Sequence, residues 1–417
     1  MKTQAYVLAE KDAPFKLEEV ELAEPEVNEV LVKITACGLC HTDLGIQNGG
    51  LPSPYPNVAG HEGSGKVLKV GSAVTRVKEG DSVLLSFAHC LDCGPCKIGY
   101  PAACEQFGAV NFGRQRNAQI GSKPGIKGAK GEEMCVPPAL LSLSEFCQRL
   151  RTLCDNSFGA FFGQSAFAQH AVVVETSVVK VPSDADLVML APLGCGLQTG
   201  AGAVLNFLKP PKESSISIIG VGAVGCAALF AAVYLGIKTI VVVDLVDKRL
   251  ELAKSFGATH TFNAKDPEIV KKIKALTPYN MGTEYSVECT GNKAAIMTAW
   301  EALANRGHLV SCGTPGPGNP LPFGIFENLL ASKVHLILLR PARRAKDEVD
   351  LPNRAQTYTG LTEGASNPPE SQHVQLYNEG HFPVDKISKT FAMDKLDDAC
   401  HAMHTGETIK PIIVFNP

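Results

Sequence analysis

Four cysteines, Cys90, Cys93, Cys96 and Cys104, stand at C-x2-C-x2-C-x7-C spacing in this 417-residue sequence. Thiolates hold Zn²⁺ tetrahedrally at about 2.3 Å, and two-residue spacers let one tight turn present several sulfurs to a single ion. Gly94-Pro95 supplies the turn, Gly by tolerating positive φ and Pro by fixing its own φ. Two disulfides are the competing reading. The stretch Met1-Lys2-Thr3-Gln4-Ala5 has no secretory pattern, and cytosolic thiols stay reduced, so a metal is expected rather than disulfides. A closed four-thiolate site leaves no position for a substrate, so this ion is expected to be structural, with the chemistry elsewhere.

A second, dispersed set has the composition of a catalytic site. Cys40 lies in Cys37-Gly38-Leu39-Cys40-His41-Thr42-Asp43, His61 in Gly60-His61-Glu62-Gly63, and Cys195 in Gly194-Cys195-Gly196. Alone, each reads as a buried thiol or a structural histidine. Together they make a Cys₂His set, and a catalytic zinc takes three protein ligands and keeps one open position. Glu62 and Asp43 sit beside these ligands, where carboxylates orient an imidazole or tune the ion; otherwise they are surface charge. The remaining cysteines stand mostly singly in apolar or Gly-rich stretches, as small buried hydrophobes do.

The third signal binds rather than reacts. Gly220-Val221-Gly222-Ala223-Val224-Gly225 joins the β-branched run Ile216 to Ile219 to the apolar helical run Ala227 to Leu235. G-x-G-x-x-G between strand and helix is the dinucleotide turn. The first glycine turns the chain, the second admits pyrophosphate to the backbone, the third packs helix on strand, and the helix N-terminus faces the phosphates. Asp244 ends the next strand, about 20 residues on, where a carboxylate accepts from the ribose hydroxyls. Its charge would repel a 2′-phosphate, so NAD is expected over NADP, and only nearby Arg249 blurs that preference.

These groups need scaffolds, and the chain provides two kinds. Short β-branched runs broken by Gly and Pro, at Gln4 to Leu8, Glu29 to Ala36, Gly65 to Val70 and Asp81 to Ser86, predict a compact β-rich domain. The Cys40 and His61 segments read as loops between them. From Ile216 to Cys312 strands and helices alternate, which predicts a doubly wound parallel sheet, and the loop Gly313 to Gly318 beyond its last strand would border a ligand. Gly196 to Leu208 reads as a helix stopped by Pro210-Pro211, Leu396 to His404 as a helix, and Ile409 to Phe415 as a terminal strand. Ala139 to Leu153 and Gln356 to Gly360 read as a helix and a strand. With 45% hydrophobic residues and a net charge of −3, an ordinary globular, cytoplasmic protein is expected, with no nucleic-acid or membrane partner.

Taken together, these motifs resemble the zinc-dependent medium-chain alcohol dehydrogenases. The aryl-alcohol (benzyl-alcohol) branch is nearest, through Phe162-Gly163-Gln164-Ser165-Ala166-Phe167-Ala168 and Gln198-Thr199-Gly200-Ala201-Gly202. The resemblance implies an α/β chain: a GroES-like catalytic domain over 1–196 with the zinc lobe at 90–104, a Rossmann domain over 197–334, and a return to the first domain over 335–417. It implies two zinc ions per chain, one held by Cys40, His61 and Cys195. Thr42 would relay the alcohol proton, His41 would lie near the cofactor phosphates, and Lys410 would face the pyrophosphate. The implied reaction interconverts a primary, aromatic or bulky alcohol and its aldehyde: zinc lowers the alcohol's pKa and hydride passes to NAD. A homodimer or homotetramer is implied too.

A polyol or glutathione-adduct dehydrogenase, or an inactive nucleotide-binding homologue, is the alternative. Ser86, Phe87 and Leu51 are pocket candidates by position, the small Ser86 leaving room for a ring. The sequence departs from the family pattern in three places: Gly45 stands where some members carry a histidine, and segments 121–155 and 332–354 look inserted.

Overall fold

The computed structural model describes residues 1–51, 53–99, 101–112, 126–128, 157–313, 334–337 and 369–416. Of the two inserted segments, only the strands Ile126–Gly128 and Val334–Ile337 fall among them. The helix expected at Ala139 to Leu153, the strand at Gln356 to Gly360 and the loop from Thr314 to Gly318 lie outside the described residues. The chain forms two compact units: Met1–Cys93, Gln106–Cys195 and Val384–Pro417 make one, Gly94–Glu105 and Gly196–Pro383 the other.

The first unit is β-rich. Lys2–Leu8, Lys16–Leu22, Ile126–Gly128, Ser157–Ala160 and Asn57–Val58 close a small barrel. A seven-stranded sheet runs in the order Val178–Val181, Ser82–Leu85, Gly63–Val70, Glu29–Gly38, Lys410–Val414, Ser388–Ala392, with His170–Val174 also paired to Glu29–Gly38. The long strand Glu29–Gly38 is buried over most of its length, as its run of Val, Leu and Ile requires. At its end Ala36 and Cys37 pair with Ser64 and Gly63, while Gly38 pairs with Ile412 of the terminal strand. Three remote stretches therefore meet where Cys40 and His61 begin.

The second unit holds a six-stranded, wholly parallel sheet in the order His260–Asn263, Thr239–Asp244, Ser215–Ile219, Thr283–Glu288, Leu303–Ser311, Val334–Ile337. This is the doubly wound arrangement expected from the alternation, its order reversing at Ser215–Ile219. The helix Ala223–Tyr234 is almost wholly apolar and eight of its residues are buried. Ile219, Val241, Val243, Ile273, Trp300 and Leu309 fill one face of the sheet. The run after Cys195 is α-helical over Gly196–Gly202 and π-helical over Ala203–Leu208, ending at Lys209 with φ +46° before Pro210. Gly200 lets it approach the neighbouring helix, since a Cβ there would sit 1.9 Å from Val224 O. Among the described residues no single helix is long and apolar enough to cross a membrane.

Candidate metal centres and nucleotide turn

Cys40 does not lie in a loop, contrary to the sequence reading. It caps the short helix His41–Gln47, with Asp43 Oδ2 accepting from Cys40 N–H at 3.0 Å. A polar His-Thr-Asp opening hid this turn, because its helical signal lies in the cap rather than in apolar spacing. The same Asp43 uses its other oxygen on the next ligand, accepting from Gly60 N–H and His61 Nδ1, each at 3.0 Å. With Asp43 on Nδ1, Nε2 is the nitrogen left for a metal, and it lies 3.2 Å from Cys195 Sγ. One buried carboxylate thus fixes Cys40 and His61 together.

The Cys40 and Cys195 sulfurs, a His61 ring nitrogen and a Glu62 oxygen all lie within 4.8 Å of one another. Tetrahedral Zn²⁺ with bonds of about 2.0–2.3 Å needs donors roughly 3.3–3.8 Å apart, so this donor set fits the ion. The electrostatics point the same way. Hydrogen bonds from Cys195 and His61 hold the Cys40 thiol well below its usual range despite burial. Burial opposes an imidazolium at His61, yet Asp43 and Cys40 push it well above the ordinary histidine value. Thiolate and carboxylate make the cluster a place that favours positive charge.

Glu62 is fully buried, and its partner is Lys410: the ammonium donates to Glu62 Oε1 and Oε2 at 2.9 and 2.8 Å and to Leu39 O at 3.1 Å, and the residue is 2% exposed. All three ammonium protons are engaged. Burial pushes the Glu62 carboxyl up while Lys410 pulls it back, and Glu62 and Cys40 raise Lys410 against its own burial. Gly38 makes room, since a Cβ there would lie 2.0 Å from Glu62 Oε2. Lys410→Met should therefore cost about 3–5 kcal/mol by leaving a buried carboxylate unpaired, and Glu62→Leu/Lys410→Met should restore most of it. Thermal unfolding of both variants checks this; a single variant as stable as the parent would contradict the pairing.

Thr42 Oγ1 lies 3.5 Å from Cys40 Sγ, and His41 is exposed on the first helical turn. At Gly45 a Cβ would meet Leu51 Cδ1 at 3.1 Å, so Leu51 fills the space a larger residue would need. Ser86 donates to Gly194 O at 3.2 Å, and Phe87 packs against Phe107 with centroids 5.6 Å apart. Two further rings pack on His61: Phe161 edge-on at 5.3 Å and Phe162 stacked at 4.6 Å. Gln164 locks this corner: its amide donates to His61 O at 3.0 Å and Ser86 O at 2.8 Å, and its oxygen accepts from Gly63 N–H at 3.3 Å. Phe162 and Ser165 adopt φ +53° and +51°, strain of the kind held at functional sites. The motif quoted for the resemblance contained these residues, but neither apolar spacing nor ligand chemistry singles them out.

The sulfurs of Cys90, Cys93, Cys96 and Cys104 likewise lie within 4.8 Å of one another. Cys93 N–H donates to Cys90 Sγ at 3.4 Å, and Leu91 at φ +59° lets the chain turn between them. Four thiolates with backbone support fit a closed tetrahedral ion.

In the nucleotide turn, Gly220 has φ +88° and a Cβ there would strike Thr290 Cγ2 at 2.3 Å. A Cβ at Gly225 would lie 1.9 Å from Gly220 O, whereas one at Gly222 would meet nothing within 4 Å. The first and third glycines thus close the turn and the second leaves open space. Asp244 Oδ2 accepts from Val221 N–H at 2.8 Å and Oδ1 from Val246 N–H at 2.9 Å, which sets the carboxylate at the turn. Arg249 stands on the following helix Asp247–Ser255, its Nε buried.

Comparison with known proteins places these sites in context. Residues 26–142 match the alcohol dehydrogenase GroES-like domain, and residues 223–340 the zinc-binding dehydrogenase domain. The chain is 34% identical to geraniol dehydrogenase of Castellaniella defragrans, over 100% of this chain and 98% of that protein. It is 30% identical to S-(hydroxymethyl)glutathione dehydrogenase of Paracoccus denitrificans, over 100% of both. Benzyl alcohol dehydrogenase of Acinetobacter calcoaceticus superposes with a TM-score of 0.82 at 34% identity, covering 99% of each chain.

Proposed function

The chain belongs to the zinc-dependent medium-chain alcohol dehydrogenases, and on that premise we propose that it interconverts a primary aromatic or bulky allylic alcohol and its aldehyde with NAD. Zinc-dependent, NAD(P)-linked alcohol oxidation is the family's chemistry. The observation that carries the finer reading is the convergence of Cys40, His61, Cys195 and Glu62 within 4.8 Å, with the rings of Phe161 and Phe162 packed on His61. Zn²⁺ there supplies a Lewis acid that lowers an alcohol's pKa, and the nicotinamide accepts hydride.

The protein's own residues do the rest. Asp43 keeps His61 in the tautomer that presents Nε2. Thr42, beside Cys40, is placed to take the alcohol proton, and exposed His41 stands next to it. Apolar rings beside His61 favour a planar, unsaturated substrate over a polyol, and the named activities of the geraniol and benzyl alcohol relatives agree.

Two Zn²⁺ per chain are proposed, one at each cluster. Turnover of benzyl alcohol and geraniol with NAD, alongside metal analysis, tests the reading. Two zinc ions with activity support it; turnover confined to a glutathione adduct or a polyol would overturn the substrate class.

Asp244 supports NAD over NADP, since a 2′-phosphate would sit against a carboxylate held in place by Val221 and Val246. Like-charge contact costs several kcal/mol, so Asp244→Asn should shift the NAD:NADP ratio of kcat/KM by roughly 10²-fold towards NADP. An unchanged ratio would remove Asp244 from coenzyme selection.

Six reduced cysteines across the two clusters suit a cytoplasmic enzyme. A homodimer or homotetramer is proposed because the six-stranded sheet ends on Val334–Ile337, whose outer edge no described strand covers. Sedimentation as a monomer at micromolar concentration would contradict it.

A further inference from the structure

Cys289 and Cys312 belong to neither metal cluster, and they stand side by side. Each follows the last residue of a paired strand end, Glu288 opposite Ser311, on adjacent parallel strands. Cys312 N–H donates to Glu288 O at 2.7 Å and Gly313 N–H to the same carbonyl at 3.3 Å. The two segments abut so closely that a Cβ on Gly313 would lie 1.9 Å from Gly291 N. Both cysteines are free thiols and partly exposed. Adjacent strands lie about 4.7–4.9 Å apart, inside the roughly 4.4–6.8 Å Cα separation a disulfide accepts. The pair also touches the nucleotide turn: a Cβ on Gly220 would lie 2.3 Å from Thr290 Cγ2 and 3.8 Å from Cys289 C.

We propose that Cys289 and Cys312 form a reversible disulfide, and that closing it lowers the affinity of the Gly220–Gly225 turn for dinucleotide. The second half rests on the reading of that turn as the coenzyme site; the first does not. The oxidant is a small disulfide such as oxidised glutathione. Cys312 thiolate attacks one of its sulfurs and expels one glutathione thiolate, leaving a mixed disulfide. Cys289 then gives its proton to solvent, attacks the Cys312 sulfur and expels the second glutathione, so two protein thiols become one disulfide and two glutathiones are released. The bond fixes residue 289, and with it the adjoining Thr290, whose Cγ2 abuts Gly220.

The test treats the zinc-loaded full-length protein with oxidised glutathione, maps peptides without reduction, titrates NADH by fluorescence and measures zinc. The expected result is one linked Cys289–Cys312 peptide, full zinc, and NADH affinity lowered by about tenfold, as for one lost hydrogen bond to a charged group. Dithiothreitol should reverse it, and Cys289→Ser should be insensitive. Absence of the linked peptide overturns the disulfide. A linked peptide with unchanged NADH affinity overturns the coupling, as does an affinity loss that persists in Cys289→Ser or accompanies zinc release. If the reduced protein fails to bind NADH, the coenzyme reading falls with the coupling, and the linked peptide still decides the disulfide.

Discussion

His61→Ala is expected to lower zinc from two ions per chain to one and to reduce NAD-linked turnover by at least about 10³-fold, since a Lewis acid at the reacting oxygen is worth several kcal/mol. The imidazole is the middle donor of the cluster, held on one side by Asp43 at 3.0 Å and facing Cys195 at 3.2 Å on the other. Its removal leaves two thiolates beside the buried Glu62 carboxylate, an arrangement with excess negative charge and one donor too few. Asp43→Asn makes the finer distinction. It keeps the ligands but weakens the lock on the tautomer, so a smaller loss of about 10–100-fold in activity or metal affinity is expected. Metal analysis with steady-state kinetics on both variants is the check. A His61→Ala protein that retains two zinc ions and its activity would show that the cluster is not the reactive centre.

The contrast between the two variants shows where sequence reading stopped. Ligand identity was legible because Cys and His in Gly-flanked segments are uncommon apart from metal chemistry, and the parallel sheet because β-branched runs and helical runs alternate. Asp43 read as a carboxylate that could orient an imidazole or else as surface charge, but nothing local reveals that it also caps a helix and that the histidine lies 18 residues away. The pairing of Lys410 with Glu62 was hidden for the same reason. Only the antiparallel pairing of Ile412 with Gly38 brings the terminal strand beside Leu39 and Glu62, and that pairing is not local. The strand Lys16–Leu22 escaped notice because its outward face is charged, Glu and Lys alternating with the few residues that enter the barrel. Tertiary context decided each of these.

The cysteine lobe gives the second large effect, because four thiolates on one ion would crosslink a short and largely exposed helix. Its helix Gly94–Lys97 is four residues long with none of them buried, and Leu91 and Ile98 are 51% and 72% exposed. That helix buries none of its residues, so a crosslink through four sulfurs would help to fix its path. Structural zinc contributes on the order of 10–16 kcal/mol in small domains folded around it, and binding free energy there is folding free energy. Cys93→Ser should therefore lose one zinc ion, retain the other, and become cleavable by protease within 90–104 under conditions where the parent resists. Chelation should reproduce the sensitivity in the parent protein, while a reductant alone should not, because thiolate–metal bonds do not depend on an oxidised sulfur. The opposite pattern, opening by reductant and indifference to chelator, would replace the ion with disulfides.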